Sequence, residues 1–201
     1  MIRHIVLDFG KVLVDYDVYW LFDKLFGSHE EAVWFNETVT NPDWCASADK
    51  EEIPWHENIS RLKVSWPEYA EVIEAFDRRF QETVGGEVAG MRELLTELKG
   101  RGYGLWGLSN WSSKVYETIS THGVFGLLDG MMISCEEKLV KPDVAIYRRF
   151  LRKFGLKAEE CVFLDDRPVN IEGCERAGMR GIVFENAAQA RSRLREFGVP
   201  V

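Results

Sequence analysis

The segment RHIVLDFGKVLVDYD, residues 3–17, decides the fold of this chain. Its run Ile5-Val6-Leu7 is short, apolar and unbroken, which is typical of a strand buried on both faces. The run ends at Asp8, and Gly10 follows two residues later. In an open parallel sheet, ligands bind in the crevice outside the carboxyl ends of the strands. We therefore expect the Asp8 side chain to face such a crevice.

The composition is that of an ordinary soluble globular protein. With 201 residues, 46% of them hydrophobic, the chain can build one substantial core or a core with an inserted module. Its net charge of −8 argues against nucleic acid or an anionic membrane as a partner. No apolar run approaches the roughly 18 residues of a membrane span. We expect a cytoplasmic monomer or homodimer.

Residues 16–83 show helical spacing of apolar residues and no strand signal, which predicts a small helical bundle. A polar break at residues 41–43, Asn-Pro-Asp, separates its second and third helices. The pair Gly85-Gly86 ends the bundle and is a candidate hinge. The four predicted helices contain or begin near Val18–Phe26, Glu30–Thr38, Ile53–Leu62 and Pro67–Phe80.

Beyond residue 84 strand and helix patterns alternate, which predicts a parallel sheet covered by helices on both faces. The expected fold is therefore α/β, a three-layer Rossmann-like core of residues 1–15 and 84–201 with residues 16–83 inserted as a helical cap. The later strands are predicted at Tyr103–Leu108, Met131–Ile133, Cys161–Leu164 and Gly181–Phe184.

Polar residues stand at four points near the strand ends of this predicted core. They are Asp8, Ser109-Asn110, Lys141-Pro142 and Asp165-Asp166. Singly, each has an ordinary structural reading: a turn residue, a helix N-cap, a solvated loop lysine, or a helix start with proline in its first turn. One topology, however, would bring all four to the same crevice.

The charge of that crevice requires compensation. Three carboxylates beside a phosphate dianion repel one another by several kcal/mol at about 4 Å and intermediate dielectric. Lys141 supplies a single positive charge, so a divalent cation is implied. Mg²⁺ fits because it takes oxygen ligands and bridges to phosphate.

The sequence resembles the haloacid dehalogenase (HAD) superfamily of phosphohydrolases over its whole length. The insert resembles the helical cap of type I members. The first and last motifs are similar to those of bacterial α-D-glucose-1-phosphate phosphatase and epoxide-hydrolase-like phosphatases. The motifs that carry the resemblance are Leu7–Val12, Leu108–Asn110, Lys141–Tyr147 and Phe163–Gly173.

The resemblance implies a role for each motif residue. Asp8 would attack phosphorus and form an aspartyl-phosphate. Mg²⁺ would be held by Asp8, the Gly10 carbonyl and Asp166, with Asp165 as an auxiliary or supporting group and Asn170 orienting Asp166. The transferring phosphoryl group would be held by the Ser109 hydroxyl, the Asn110 backbone N–H and Lys141.

The pattern departs from the family at Gly10, where most members carry a second Asp that acts as acid and base. A positioned acid or base contributes about 10²- to 10⁴-fold. Two explanations are open: the substrate is one whose leaving group needs little help, such as the sugar phosphate glucose 1-phosphate, or Lys11, Asp15 or Asp17 substitutes for the missing acid. Two alternatives stay open: a dehalogenase, which would use an Asp nucleophile without Mg²⁺, and a module that only binds a phosphorylated ligand or a protein.

Five of the seven tryptophans lie in the predicted cap. Trp20, Trp34 and Trp66 are expected in its core, because a small bundle needs large side chains to bury enough area. Trp44 lies in the polar break of residues 41–46 and is expected to contact the substrate, with Asp43 as an alternative. Trp111 is another candidate wall of the pocket.

Overall fold

A computed structural model describes residues 1–201. Its central sheet has five parallel strands in the order β5-β4-β1-β6-β7, which confirms the expected α/β class. A separate antiparallel pair is formed by β2 and β3. The strands are β1 (His4–Leu7), β2 (Val14–Tyr16), β3 (Val84–Glu87), β4 (Gly104–Ser109), β5 (Gly130–Ile133), β6 (Cys161–Asp165) and β7 (Arg180–Val183).

Eleven α-helices accompany these strands, five of them between β2 and β3. No helix has the length and apolar character needed to cross a membrane. The helices are α1 (Tyr19–Phe26), α2 (His29–Thr38), α3 (Pro42–Lys50), α4 (Trp55–Ser65), α5 (Ala70–Arg78), α6 (Met91–Gly100), α7 (Val115–Thr121), α8 (Ser134–Glu137), α9 (Val144–Phe154), α10 (Pro168–Arg176) and α11 (Ala187–Glu196).

The register of the sheet sets the position of the site. Leu7 at the end of β1 lies opposite Gly107 of β4 and Leu164 of β6. Because these strands are parallel, the residues that follow them emerge at the same edge. Every residue of β6 is buried, as a strand covered on both faces requires.

The region predicted as four helices contains five, and the extra helix is α3. The predicted polar break at residues 41–43 is the start of this helix: the Asn41 side-chain oxygen accepts hydrogen bonds from the N–H groups of Asp43, at 3.1 Å, and Trp44, at 3.0 Å. Pro42 occupies the first turn, where a missing N–H costs nothing. The break that ends α2 thus serves as the N-cap of α3.

Two expectations for aromatic residues of this helical region were wrong. Trp20 and Trp34 are 42% and 44% exposed and do not lie in the core. Each covers other groups from outside: the Trp34 ring packs against those of Trp66 and Tyr69, with centroids 6.1 and 5.5 Å away. Trp66 packs against the core, as expected, but is only half-buried.

Gly85, a predicted hinge residue, lies inside strand β3 and not in a loop. A Cβ on Gly85 would lie 2.8 Å from the Trp20 ring and 2.9 Å from the Asp15 Cβ. Glycine is therefore required here by the close approach of the β2 segment and α1. The two strands β2 and β3 are the two chain connections between the helical region and the sheet.

Candidate active site

Asp8, Lys141 and Asp165 meet at the carboxyl edge of the sheet. The Lys141 Nζ lies 2.9 Å from Asp8 Oδ1 and 2.6 Å from Asp165 Oδ2. The Lys141 and Asp165 side chains are 1% and 0% exposed, and that of Asp8 is 12% exposed. The lysine thus bridges two carboxylates at the carboxyl ends of different strands.

The Lys141 ammonium is held in its charged form. Burial lowers the pKa of Lys141, but the adjacent Asp8 and Asp165 carboxylates raise it above its usual value. Its Nζ also donates to the Leu108 carbonyl at 3.2 Å. A desolvated, permanently charged lysine at this position is a strong electrostatic partner for an anion entering the crevice.

Asp165 is fixed by several donors besides Lys141. Its carboxylate accepts from Asn170 Nδ2 at 2.9 and 3.0 Å and from the Arg167 N–H at 2.9 Å. Burial alone would raise the pKa of Asp165, but Lys141 and these hydrogen bonds bring it below its usual value. The expectation that Asn170 orients Asp166 is corrected: Asn170 contacts its neighbour Asp165.

An acidic cluster suited to a cation is formed by Asp8, Asp165 and Asp166, each with a carboxylate oxygen within 4.8 Å of the others. Asp166 is half-buried, and its carboxylate accepts a hydrogen bond only from its own backbone N–H. Burial, assisted by the Asp165 charge, raises the pKa of Asp166. Oxygen ligands in this number fit Mg²⁺.

The turn after β1 supplies one more oxygen. The Phe9 carbonyl accepts from the N–H groups of Leu13, at 2.8 Å, and Val14, at 3.0 Å, which closes a tight loop. The Gly10 carbonyl accepts no backbone hydrogen bond in this loop. No backbone N–H therefore occupies this oxygen, and its binding of a metal ion stays a prediction.

Ser109 and Asn110 reach the same edge from β4. Their ordinary structural reading as a helix N-cap is wrong, because α7 begins only at Val115 and receives no side-chain cap. Instead the Asn110 side chain donates to the Lys141 carbonyl at 2.9 Å and accepts from the Lys141 N–H at 2.8 Å. The Asn110 N–H donates to no backbone carbonyl, and the Ser109 side chain is buried beside Asp8.

A cavity of about 280 Å³ lies between these residues and the helical region. Trp44 and Trp111 line it, whereas Asp43 is exposed and does not. The Trp44 Nε1 is buried without a hydrogen-bond partner. The aromatic side chains that line the cavity are Tyr16, Trp44, Trp55, Phe76, Phe80 and Trp111.

Of the three residues considered as substitutes for the acid missing at Gly10, only Lys11 lines the cavity. The sequence reasoning missed Asp49, which also lines it from the last turn of α3. The spacing of the residues was the signal that could have found it. Residues 44, 45, 48 and 49, which all line the cavity, are spaced as on one face of a helix. It could not be recognised while this stretch was taken for a loop.

Comparison with known proteins identifies the family. A family model described as haloacid dehalogenase-like hydrolase matches residues 2–178. The chain is 29% identical over 120 residues to the sesquiterpene phosphatase astK of Aspergillus oryzae, covering 58% of this chain and 61% of that protein. It is 29% identical over 115 residues to flavin mononucleotide hydrolase 1 of Arabidopsis thaliana, covering 56% and 46%. The match thus spans about half the length of these relatives.

Solved structures share the fold. The HAD family enzyme BT-2542 of Bacteroides thetaiotaomicron superposes with a TM-score of 0.77 at 18% identity, covering 96% of this chain and 98% of that one. A complex of the same enzyme with magnesium and inorganic phosphate gives a TM-score of 0.74 at 17% identity, covering 92% and 96%. At these identities the likeness establishes the architecture alone.

Proposed function

The chain belongs to the haloacid dehalogenase-like hydrolase family, and from this premise we propose that it is a Mg²⁺-dependent phosphohydrolase. It cleaves a small phosphate monoester through an aspartyl-phosphate on Asp8. The observation that carries the proposal is the Lys141 ammonium set between Asp8, at 2.9 Å, and Asp165, at 2.6 Å, beside the acidic cluster. This arrangement suits the attack of a carboxylate on an anion.

Asp8, Asp166 and the Gly10 carbonyl hold the Mg²⁺ ion in this proposal. The ion supplies positive charge that offsets the repulsion between the carboxylates and the phosphate. Asp165 is engaged by Lys141 and Asn170, so it acts by fixing the lysine and adds charge behind the ion. The free Asn110 N–H and the Ser109 hydroxyl bind phosphoryl oxygens, and Lys141 offsets their charge.

The reaction has two halves on Asp8. One carboxylate oxygen attacks phosphorus in line with the leaving group, and a bond from Asp8 to phosphorus replaces the ester bond. Water then attacks the same phosphorus, and phosphate departs with the regeneration of Asp8. Lys141, fixed by Asp165, keeps the attacking oxygen oriented in both halves.

The aromatic walls of the cavity favour a leaving group with a flat apolar face. A pyranose ring presents such a face, so glucose 1-phosphate stays a candidate substrate. Aryl and terpenyl phosphates fit the same walls, and two relatives are a sesquiterpene phosphatase and a flavin mononucleotide hydrolase. The residues 16–83 act as a cap that closes over this group.

The test is phosphate release from p-nitrophenyl phosphate and from a panel of phosphorylated metabolites, with Mg²⁺ and with EDTA. We expect release only with Mg²⁺, and its loss in Asp8→Asn, because an amide cannot act as the nucleophile. Release that persists with EDTA or in Asp8→Asn contradicts the proposal. Absence of release from every phosphate ester favours a binding module, and halide release from a 2-haloacid favours a dehalogenase.

A further inference from the structure

The segment that carries the nucleophile of the proposed phosphatase has no acid two residues after Asp8 to protonate the leaving oxygen. Gly10 stands where such an acid would follow the nucleophile by two residues, and glycine has no proton to give. Departure of an alkoxide without a proton is unfavourable, and a positioned acid contributes about 10²- to 10⁴-fold. The cavity therefore has to receive this group from another element.

Asp49 reaches the cavity from the opposite side of the sheet edge. It stands in the last turn of α3 and lines the cavity together with Asp8 and Lys141. Asp15 and Asp17, the acidic residues nearest to Asp8 in the sequence, do not line it. Among the acidic residues that line the cavity, Asp49 alone belongs neither to the segment after β1 nor to the segment after β6.

The end of α3 is fastened to the sheet side of the molecule at two points. The Asp49 carbonyl lies 2.6 Å from the Ser134 hydroxyl of α8. Two residues later, the Glu51 carboxylate accepts from the Ser113 N–H at 2.8 Å and from its hydroxyl at 3.0 Å. Lys138 adds a hydrogen bond to the Glu51 carbonyl. Such anchoring holds a side chain in one place, as proton transfer requires.

The Asp49 carboxylate itself is left free by these contacts. They use the backbone of Asp49 and the side chain and backbone carbonyl of Glu51, and no ion pair or hydrogen bond engages the Asp49 carboxylate. The charged groups that act on it are Lys141, Asp8 and Arg167. Burial raises the pKa of Asp49 to about 7, so a protonated population exists at neutral pH. A carboxylate with a structural role would form an ion pair or hydrogen bonds, whereas that of Asp49 is free to exchange a proton with a substrate.

We propose that Asp49 is the general acid and base of this enzyme, supplied by the cap in place of the residue absent at Gly10. The inference rests on the proposed phosphatase function. In the first half, Asp8 bonds to phosphorus, the phosphorus–oxygen ester bond breaks, and the Asp49 proton passes to the leaving oxygen. In the second, the Asp49 carboxylate takes a proton from the water that attacks phosphorus. The electron pair of the Asp8–phosphorus bond returns to Asp8, and Asp49 is protonated again.

Leaving-group dependence tests this role in Asp49→Asn, which keeps size and removes the transferable proton. The value of kcat/KM reports steps up to departure of the leaving group, so dephosphorylation does not obscure it. For 2-phenylethyl phosphate, whose alkoxide needs a proton, we expect a fall of about 10²-fold or more. For p-nitrophenyl phosphate, whose phenolate leaves unaided, kcat/KM should change little. The control Glu52→Gln alters an exposed acid three residues away and should affect neither substrate.

A compensating variant separates chemistry from packing. A Cβ added at Gly10 meets no atom closer than 3.6 Å, the Tyr16 Cβ, so the site admits a side chain there. In a Gly10→Asp background, Asp49→Asn should lower kcat/KM for 2-phenylethyl phosphate much less than it does in the wild type. Equal losses for the two substrates, or an unchanged loss in the Gly10→Asp background, overturn the inference and leave the phosphatase proposal standing. A wild-type protein that is inactive on these two esters and on every member of the metabolite panel overturns the phosphatase proposal itself.

Discussion

At the scale of single residues, Lys141 is the group on which the charge balance of the site depends. Its ammonium bridges Asp8 and Asp165, and all three side chains are nearly or fully buried. Removing one partner of a buried ion pair leaves an uncompensated charge and destabilises a protein by about 3–5 kcal/mol. We therefore expect Lys141→Met to lower the free energy of unfolding by about this amount in urea titrations with EDTA.

The pH dependence of this loss identifies its cause. Because the pKa of Asp165 is lowered in the folded protein, its stabilising contribution is present above the ordinary carboxyl pKa and disappears as the pH falls through the lowered value. In Lys141→Met the buried carboxylates gain from protonation, so the difference from the wild type should shrink in acid. Lys24→Met, which breaks an exposed pair with Glu82, serves as control. If Lys141→Met lowers the free energy of unfolding no more than Lys24→Met does, Lys141 does not balance the charge of the site.

The meeting of Asp8, Lys141 and the Asp165-Asp166 pair followed from the sequence, because the ends of parallel strands share one edge. The division of labour within the pair did not. Asp165 is the last residue of β6 and fully buried, whereas Asp166 is half-buried. Alternation along a strand makes adjacent residues face different surroundings, but the sequence does not state which one faces the lysine. The partner of Asn170 was mistaken for the same reason.

At the scale of elements, α3 is the helix that forms the roof of the cavity, and it carries Trp44. Contact between aromatic faces contributes about 0.5–1.5 kcal/mol, which is up to about tenfold in kcat/KM. Trp44→Ala should therefore lower kcat/KM for 1-naphthyl phosphate by several-fold relative to acetyl phosphate, which has no ring. The ratio of the two values is the quantity to measure, because it does not depend on the folded fraction.

The matched control for this change is Trp34→Ala. Trp34 lies in the same helical region but is 44% exposed and does not line the cavity. It should leave the ratio for the two substrates unchanged. If Trp44→Ala behaves like Trp34→Ala, helix α3 does not contribute to substrate choice.

Periodicity predicted the long, strongly patterned elements well, and it failed where one residue serves two elements. Helix α2, predicted over Glu30–Thr38, runs from His29 to Thr38. Helix α3 was lost because Asn41 and Pro42 signal both the end of one helix and the start of the next. Missing α3 also meant missing part of the site, because Trp44 and Asp49 of this helix both line the cavity.

At the scale of the whole molecule, the sheet and the helical region share one apolar core. Buried side chains continue from β1 through the β2 segment into the helices, so Leu7, Leu13, Phe22 and Phe35 belong to a single cluster. The sequence predicted an inserted bundle but not this continuity, because period and turn signals are local and packing between distant segments is not. Binding at the sheet edge is therefore expected to stabilise the fold as a whole.

Magnesium binding should consequently appear in the thermal unfolding of the entire chain. An ion that binds only the folded state at 100 times its Kd adds about 2.7 kcal/mol, which is about 5–10 °C for a protein of this size. We expect the midpoint to rise and saturate with Mg²⁺, but not with KCl of equal ionic strength. Asp166→Asn removes a carboxylate of the acidic cluster and should abolish the rise, whereas Glu68→Gln changes an exposed acid and should keep it. If the unfolding midpoint of Asp166→Asn rises with Mg²⁺ as much as that of the wild type, the ion does not bind at the acidic cluster. The rise would then come from Mg²⁺ bound to the negatively charged surface as a whole.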